Sequence, residues 1–196
     1  MNSATTTLNQ LIRHRRSVKP GQYTGVPVSD DIIRQMLENA RWAPTHALTE
    51  PWHFYVFAGD GLKKLADFQE TTYKTNTPPE EFNELKYQKF LSGPLQASHI
   101  IVVAMIRQVT QKLPVVEEIS AVACAVQNIM LTATAFGVGS YWSTGGMTHK
   151  PEMKTFLGLS ENDLCLGMVY VGNYTGEITD STRKHIEEKS TWFTEL

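Results

Sequence analysis

The chain has 196 residues, of which 41% are hydrophobic and 19% are charged, and its formal net charge is -2. A chain of this length can bury roughly 70% of its unfolded surface in one core, so we expect a single domain over residues 1–196. Lysines and arginines are scattered, which argues against a nucleic-acid binder. The N-terminus lacks the apolar segment of a signal peptide, and no stretch approaches the roughly 18 apolar residues of a membrane span. We therefore expect a cytoplasmic protein that binds neither nucleic acid nor membrane.

Alternating periodicities in the first half of the chain predict helices and strands together. A short helix over residues 6–16 ends in the basic cluster RHRRS, and a second helix begins at Ser29 or Asp30 and ends before Pro44. The segment HFYVFA that follows is typical of a strand. The polar residues 71–96, partly helical, are interpreted as a candidate mobile lid.

The second half continues the mixed pattern. HIIVVAMI predicts a buried strand, and residues 117–136 predict the longest helix, with Gly137 as its C-cap. A short helix begins at Pro151, and LCLGMVYVG predicts a further strand. The polar tail has little core of its own, so we expect it to lie on another surface. Together these elements predict an α+β fold.

Most familiar catalytic and metal-binding motifs are absent. The chain has no G-x-G-x-x-G, Walker, G-x-S-x-G or H-E-x-x-H motif, and its six histidines are dispersed, so we expect no metal site. The two cysteines, Cys124 and Cys165, are interpreted as reduced core thiols because their spacing fits no redox or metal motif. No side chain stands out as a catalytic nucleophile, acid or base. If the protein is an enzyme, a cofactor is expected to carry the reaction.

Three segments are candidate binding elements. In RHRRS, adjacent guanidinium groups and Ser17 could clamp a phosphate, but cations at a helix C-terminus also favour the helix dipole, so both interpretations stay open. In STRKHIEEK, Arg183 and Lys184 are by themselves more typical of a solvated charge run. The glycine-rich stretch FGVGSYWSTGG fits either turns or a close approach of the backbone to a flat or anionic ligand.

Four motifs occur in order along the chain: RRSV at 15–18, APTH at 43–46, EPWHF at 50–54 and GSYW at 139–142. Their order and spacing resemble the FMN-dependent nitroreductase family, from Leu11 to about Lys189. The resemblance implies a nitroreductase-like α+β fold, with a central mixed sheet flanked by helices. It also implies an intertwined homodimer with two FMN molecules at the interface.

The same resemblance implies roles for individual residues. The loop after Pro44 would present His46 to FMN bound mostly by the other subunit. Arg15, Arg16 and Ser17 would hold the phosphate and the ribityl chain of FMN. Trp142, Ser143 and Thr144 would border the flavin. Arg183 and Lys184 would form a basic tail element on the phosphate. Two positions depart from the family pattern, since Glu50 replaces a common glutamine and Trp42 stands where some relatives carry an arginine.

The implied function is a ping-pong reaction that passes hydride from NADH or NADPH through flavin N5 to a nitroaromatic, a quinone or a similar small acceptor. Two alternatives remain. The protein could be a flavin reservoir or sensor without significant reductase turnover. It could also be a structural or protein-binding module without cofactor, in which the arginines and glycines are caps and turns.

Overall fold

The structure is a computed structural model that describes residues 3–176 and 181–194. These residues form six α-helices and four β-strands, and the α+β class predicted from the sequence is confirmed. In chain order the elements are α1 (Ser3–His14), α2 (Asp30–Ala40), β1 (Trp52–Ala58), α3 (Asp60–Asn76), α4 (Glu84–Ser92), β2 (His99–Met105), α5 (Val115–Ala135), β3 (Gly139–Ser143), α6 (Pro151–Leu157) and β4 (Leu164–Gly172).

The sheet has the order β1-β2-β4-β3, and all three strand pairs are antiparallel. The prediction of a mixed sheet is therefore wrong for the four strands of the described chain. Parallel pairing among these residues is limited to an isolated bridge between Ser17 and Ser140. Strands β1 and β3 form the two edges, so β2 and β4 lie in the middle.

Strand β2 explains how the core is divided into two layers. Its side chains alternate in direction, as in any strand, and all seven residues are buried. Ile101 and Val103 pack with α2 and α5 on one face of the sheet. Ile100 and Val102 pack with residues of α3, α4 and α6 on the other face. A strand buried on both faces reads as a continuous apolar run, which is why HIIVVAMI was recognisable in the sequence.

Helix α5 is the most apolar helix of the described chain. By length and composition alone it could cross a membrane, so the expectation that no segment approaches a span is wrong for this helix. Ala125, Val126, Ile129 and Ala133 have no exposed surface, because they pack against the sheet and α2. Core packing therefore accounts for the apolar composition of α5.

Several local predictions need correction. The first helix covers Ser3–His14 instead of 6–16, and part of the glycine-rich stretch forms strand β3. Residues 71–96 are mostly helical and are anchored by the buried side chains of Tyr73 and Phe90, so the lid stays a prediction. Cys165 is a buried free thiol as expected, whereas Cys124 is exposed on α5.

Gly167 in β4 allows the edge strand β3 to pack closely against β4. The register between β2 and β4 shifts beside it, and its φ of +136° lies in a region that residues with a side chain rarely adopt. An added Cβ would stand 2.6 Å from the carbonyl oxygen of Ser143 and would also collide with the indole of Trp142. Only glycine lets β3 approach β4 this closely.

We predict that Gly167→Ala lowers the free energy of unfolding by at least about 3 kcal/mol, because it combines left-handed strain with a backbone clash. Gly158→Ala is the matched control, since Gly158 has a φ of +70° but no atom within 4 Å of an added Cβ. We expect the control to cost about 1 kcal/mol in urea unfolding. Equal costs for the two variants would contradict the close approach at Gly167.

Candidate functional site

The turn after α1 brings the first and last motifs together. Helix α1 ends at His14, and the backbone N–H of Arg15 still donates to the carbonyl of Leu11 at 3.0 Å. The chain then runs beside β3, where Ser17 and Ser140 form a bridge and the N–H of Val18 donates to the carbonyl of Ser140 at 3.0 Å. The RRS motif therefore lies beside the strand that carries GSYW.

The side chain of Arg16 stabilises this turn through hydrogen bonds. Its Nη1 donates to the carbonyl of Arg15 at 2.9 Å and also to the carbonyl of Arg13. These contacts satisfy carbonyl groups at the end of α1, so part of the side chain acts as a helix C-cap. Its buried Nε has no hydrogen-bond partner among the described residues. Because a buried donor without a partner is costly, this nitrogen is available for an acceptor supplied by a ligand.

Arg15 lies half-buried at a cavity of about 340 Å³ that is lined by Ile12, Arg13, Arg15, Arg16, Ser181 and Arg183. Burial lowers the pKa of the Arg15 guanidinium, and the charges of Arg16 and Arg183 lower it further. Within 3–176 and 181–194, no carboxylate forms a salt bridge with any of these three arginines. Among the described residues, the positive charge of this cavity is therefore not compensated, which favours an anion.

The two basic residues of the tail have different positions. Arg183 lines the arginine cavity, and its Nη1 donates to Ser181 Oγ at 2.6 Å and to the carbonyl of Thr182 at 2.8 Å. The Nζ of Lys184 instead lies 3.8 Å from Glu188 Oε2, with 70% of its side chain exposed. The structure thus brings Arg183 to Arg15 and Arg16, and it does not place Lys184 in the lining of this cavity.

The GSYW residues continue from the arginine cavity along β3. Trp142 Nε1 donates to the carbonyl of Leu166 at 3.2 Å, and the indole packs against the core. Its orientation is therefore fixed by the fold itself. Ser143 is half-buried at the end of the strand, and Thr144 follows as an exposed residue. Ser17, Ser143 and Thr144 place hydroxyl groups on this edge of the sheet.

His46 lies in the segment between α2 and β1, against the first turns of α5. Its Nδ1 is 2.5 Å from Oε2 of Glu117 in the first turn of α5, and both side chains are substantially exposed. Beside this pair is a cavity of about 360 Å³, the histidine cavity, lined by Pro44, Thr45, His46, Val116, Glu117, Ser120, Ala121 and Cys124. It shares no lining residue with the arginine cavity. Within one chain, His46 and the predicted phosphate site therefore belong to two different cavities.

The loop between Pro44 and Pro51 has a strained backbone. Ala47, Leu48 and Glu50 have φ values of 51°, 52° and 43°, each of which costs roughly 1 kcal/mol for a residue with a side chain. The hydroxyl of Thr45 holds the loop by accepting from the N–H of Glu50 at 3.2 Å. Such strain is typical of segments that are shaped for a ligand. In the sequence, the two flanking prolines are the only indication of this strain.

Both ends of the described chain leave apolar side chains uncovered. Helix α1 has no buried residue, although Leu8 and Ile12 give it an apolar side. All of the tail residues 181–194 are exposed, including Trp192 at 83% and Phe193 at 92%. The sequence predicted that the tail lies on another surface, and the described part of it finds no burial on its own chain. Contiguous exposed apolar patches, but not single exposed side chains, are typical of protein-protein interfaces.

Comparison with known proteins gives consistent results. The sequence profile of the nitroreductase family matches residues 12–173. The Bacillus subtilis protein YfhC, whose name assigns it provisionally to the NAD(P)H nitroreductases, is 28% identical over 166 residues, covering 84% of this chain and 83% of the relative. A nitroreductase-like family protein from Bacillus cereus has a similar structure, with a TM-score of 0.80, 27% identity and 96% coverage of both chains. A protein from Desulfovibrio desulfuricans, named provisionally as a nitroreductase and solved in complex with FMN, has a TM-score of 0.73 and 25% identity, over 100% of this chain and 99% of the other.

Because His46 and Glu117 are both exposed, we expect their contact to contribute little to the free energy of unfolding. Exposed ion pairs contribute about 0–1 kcal/mol, so His46→Ala should lower the free energy of unfolding by less than about 1 kcal/mol. Glu117→Gln, which removes the partner charge, is the control and should have an equally small effect in urea unfolding. A loss of 3 kcal/mol or more in either variant would assign His46 a structural role, contrary to this prediction.

Proposed function

This chain belongs to the nitroreductase family, and on that premise we propose that it is an FMN-dependent oxidoreductase that passes hydride from NADH or NADPH to a small oxidised acceptor. The observation that carries the proposal is the arginine cavity, where the four arginines Arg13, Arg15, Arg16 and Arg183 lie together without a salt-bridged carboxylate in the described chain. The FMN complex of the Desulfovibrio protein and the name of YfhC support the cofactor and the hydride donor.

The residues at the arginine cavity fit the phosphate of FMN. Burial and the charges of Arg16 and Arg183 lower the pKa of Arg15, and a phosphate dianion would offset both by pairing with the guanidinium groups. It would also offer an acceptor to the buried Nε of Arg16, which lacks a partner in the described part of the chain. Arg183 would complete the clamp, and the hydroxyl of Ser17 adds a donor beside it. Trp142, Ser143 and Thr144 would border the flavin, because they follow the bridge at Ser140. Lys184 is left out of this assignment.

When bound, FMN supplies at N5 the hydride-accepting and hydride-donating chemistry that no side chain of this protein can provide. The protein contributes by binding and orientation: the arginines fix the phosphate end, and the β3 edge fixes the ring relative to incoming substrates. In the proposed ping-pong order, the oxidised nicotinamide leaves before the acceptor enters the same pocket. The acceptor is a nitroaromatic, a quinone or a similar small molecule. We place the reaction in the cytoplasm, and we assign no catalytic nucleophile and no metal.

We propose further that the protein is an intertwined homodimer with FMN at the interface. The support is the separation of the two cavities in one chain: the arginine cavity lies at the end of α1 and the tail, whereas the histidine cavity lies against the first turns of α5, and they share no lining residue. In the dimer, His46 of one subunit would approach the cofactor that is held by the arginines of the other. The uncovered apolar side chains of α1 and of the tail would find their burial in the same contact.

We predict that Arg15→Gln weakens FMN binding by about 10- to 100-fold, because charge-assisted hydrogen bonds contribute about 1.5–3 kcal/mol each. Arg34→Gln is the matched control, since Arg34 is exposed on α2 and lines a different cavity. Titration of the FMN-free protein, followed by flavin fluorescence, measures both affinities. If the two variants bind FMN equally well, Arg15 is not part of a phosphate clamp.

The visible absorption spectrum of the purified protein tests the reaction itself. With oxygen excluded, we expect a flavin band that bleaches when NADPH or NADH is added and returns when an acceptor follows. A band that persists with both nucleotides would favour the flavin reservoir. No band, even after FMN is supplied, would favour the module without cofactor.

A further inference from the structure

A second cavity lies on the other side of the strained loop. Its volume is about 390 Å³, and we name it the tryptophan cavity; it is lined by Arg41, Trp42, Ala43, Thr45, Leu48 and Glu50. Thr45 also lines the histidine cavity, so the two cavities flank the same loop. The function proposed above assigns no ligand to the tryptophan cavity.

The indole of Trp42 is accessible and yet held in place. The residue is 73% exposed, which is unusual for a tryptophan. Its Nε1 donates to Oε1 of Glu38 at 3.3 Å, and the Arg41 guanidinium lies 5.6 Å from the ring centroid. Because these contacts restrain the ring before a ligand arrives, a second flat ring can stack on it at a small entropic cost.

Glu50 gives this cavity its charge. The carboxylate is exposed and takes part in no salt bridge within the described ranges. Arg41, the cation in the lining, is already paired with Glu38 at 3.3 Å. The backbone of Glu50 is fixed in a left-handed conformation by its hydrogen bond to Thr45, so the position of the residue is defined by the loop. The cavity therefore has a negative charge that Arg41 compensates only in part.

We propose that the tryptophan cavity is the subsite for the acceptor, where Trp42 stacks on a flat aromatic ring and Glu50 selects against acceptors that have a negative charge. The inference rests on the proposed function, because it places the acceptor beside the loop that presents His46 to FMN. Neutral and cationic aromatic acceptors are the substrate class that fits this surface. A carboxylate-bearing acceptor would come close to the Glu50 carboxylate, and two negative charges at short range repel each other.

The test compares 4-nitrobenzamide with 4-nitrobenzoate, which have the same shape and differ in charge. We measure kcat/KM for both with the FMN-loaded protein and NADPH, and the dissociation constants of both without NADPH. In wild type we expect the amide to be preferred. Glu50→Gln should raise the relative kcat/KM of the benzoate by about five- to tenfold, since a tenfold change corresponds to about 1.4 kcal/mol. Glu50→Asp, which keeps the charge, should retain the wild-type preference.

Trp42 is tested in parallel. Trp42→Ala should raise the KM and the dissociation constant of both compounds by about tenfold, whereas Trp42→Phe should recover most of the affinity because it keeps a stacking face. An unchanged amide-to-benzoate ratio in Glu50→Gln would overturn the charge selection. Equal affinities in Trp42→Ala and wild type would overturn the stacking. A wild-type protein that oxidises NADPH with neither compound, nor with a quinone, would instead refute the proposed function, and the two dissociation constants would still report on the cavity.

Discussion

The burial of strands β2 and β4 is the constraint on which the arrangement of the site depends. Every residue of β2 is buried, because α2 and α5 cover one face of the sheet and α3, α4 and α6 contribute to the other. The candidate functional groups therefore lie outside these two strands. The arginine cavity lies at the end of α1, beside β3, and the histidine and tryptophan cavities lie on the segment between α2 and β1. A cofactor that needs both sets of residues is most simply held between two copies of the chain.

Electrostatics and backbone strain set these two places apart from an ordinary protein surface. At the arginine cavity, burial and the charges of Arg16 and Arg183 disfavour the charged form of Arg15, and a bound anion would relieve this. Between α2 and β1, three residues with left-handed backbone conformations hold a short loop in a shape that an unstrained chain would avoid. The packing of α5 on α2 and on the sheet stabilises the fold and so compensates for both unfavourable features. Both features lower the stability of the fold, and such features are typical of surfaces that bind ligands.

The sequence was informative wherever a local pattern has one structural solution. The apolar run of β2 and the Ser29 cap of α2 were both readable, because burial and capping act over a few residues. The position of Arg183 beside Arg15 was suggested by family resemblance alone, since two residues so far apart in sequence meet only through the fold. The strain at Ala47 and Leu48 and the exposure of Trp42 had no signal in the sequence, because they depend on how Thr45 and α2 hold the loop. Lys184 looked equivalent to Arg183 in sequence, but Arg183 lines the arginine cavity whereas Lys184 lies beside Glu188.

The proposed cofactor site is completed by residues from two subunits. The decisive measurement is the FMN content of a mixed dimer of Arg15→Gln and His46→Ala subunits. The two variants are co-expressed with different affinity tags, the mixed dimer is isolated through both tags, and its FMN content is compared with that of each parent dimer. If the arginines and His46 of different subunits share a site, the mixed dimer has one intact site and one doubly altered site. It should then hold close to one FMN per dimer while both parents hold much less. If the mixed dimer retains no more FMN than its parents, the site lies within one chain and the account is wrong.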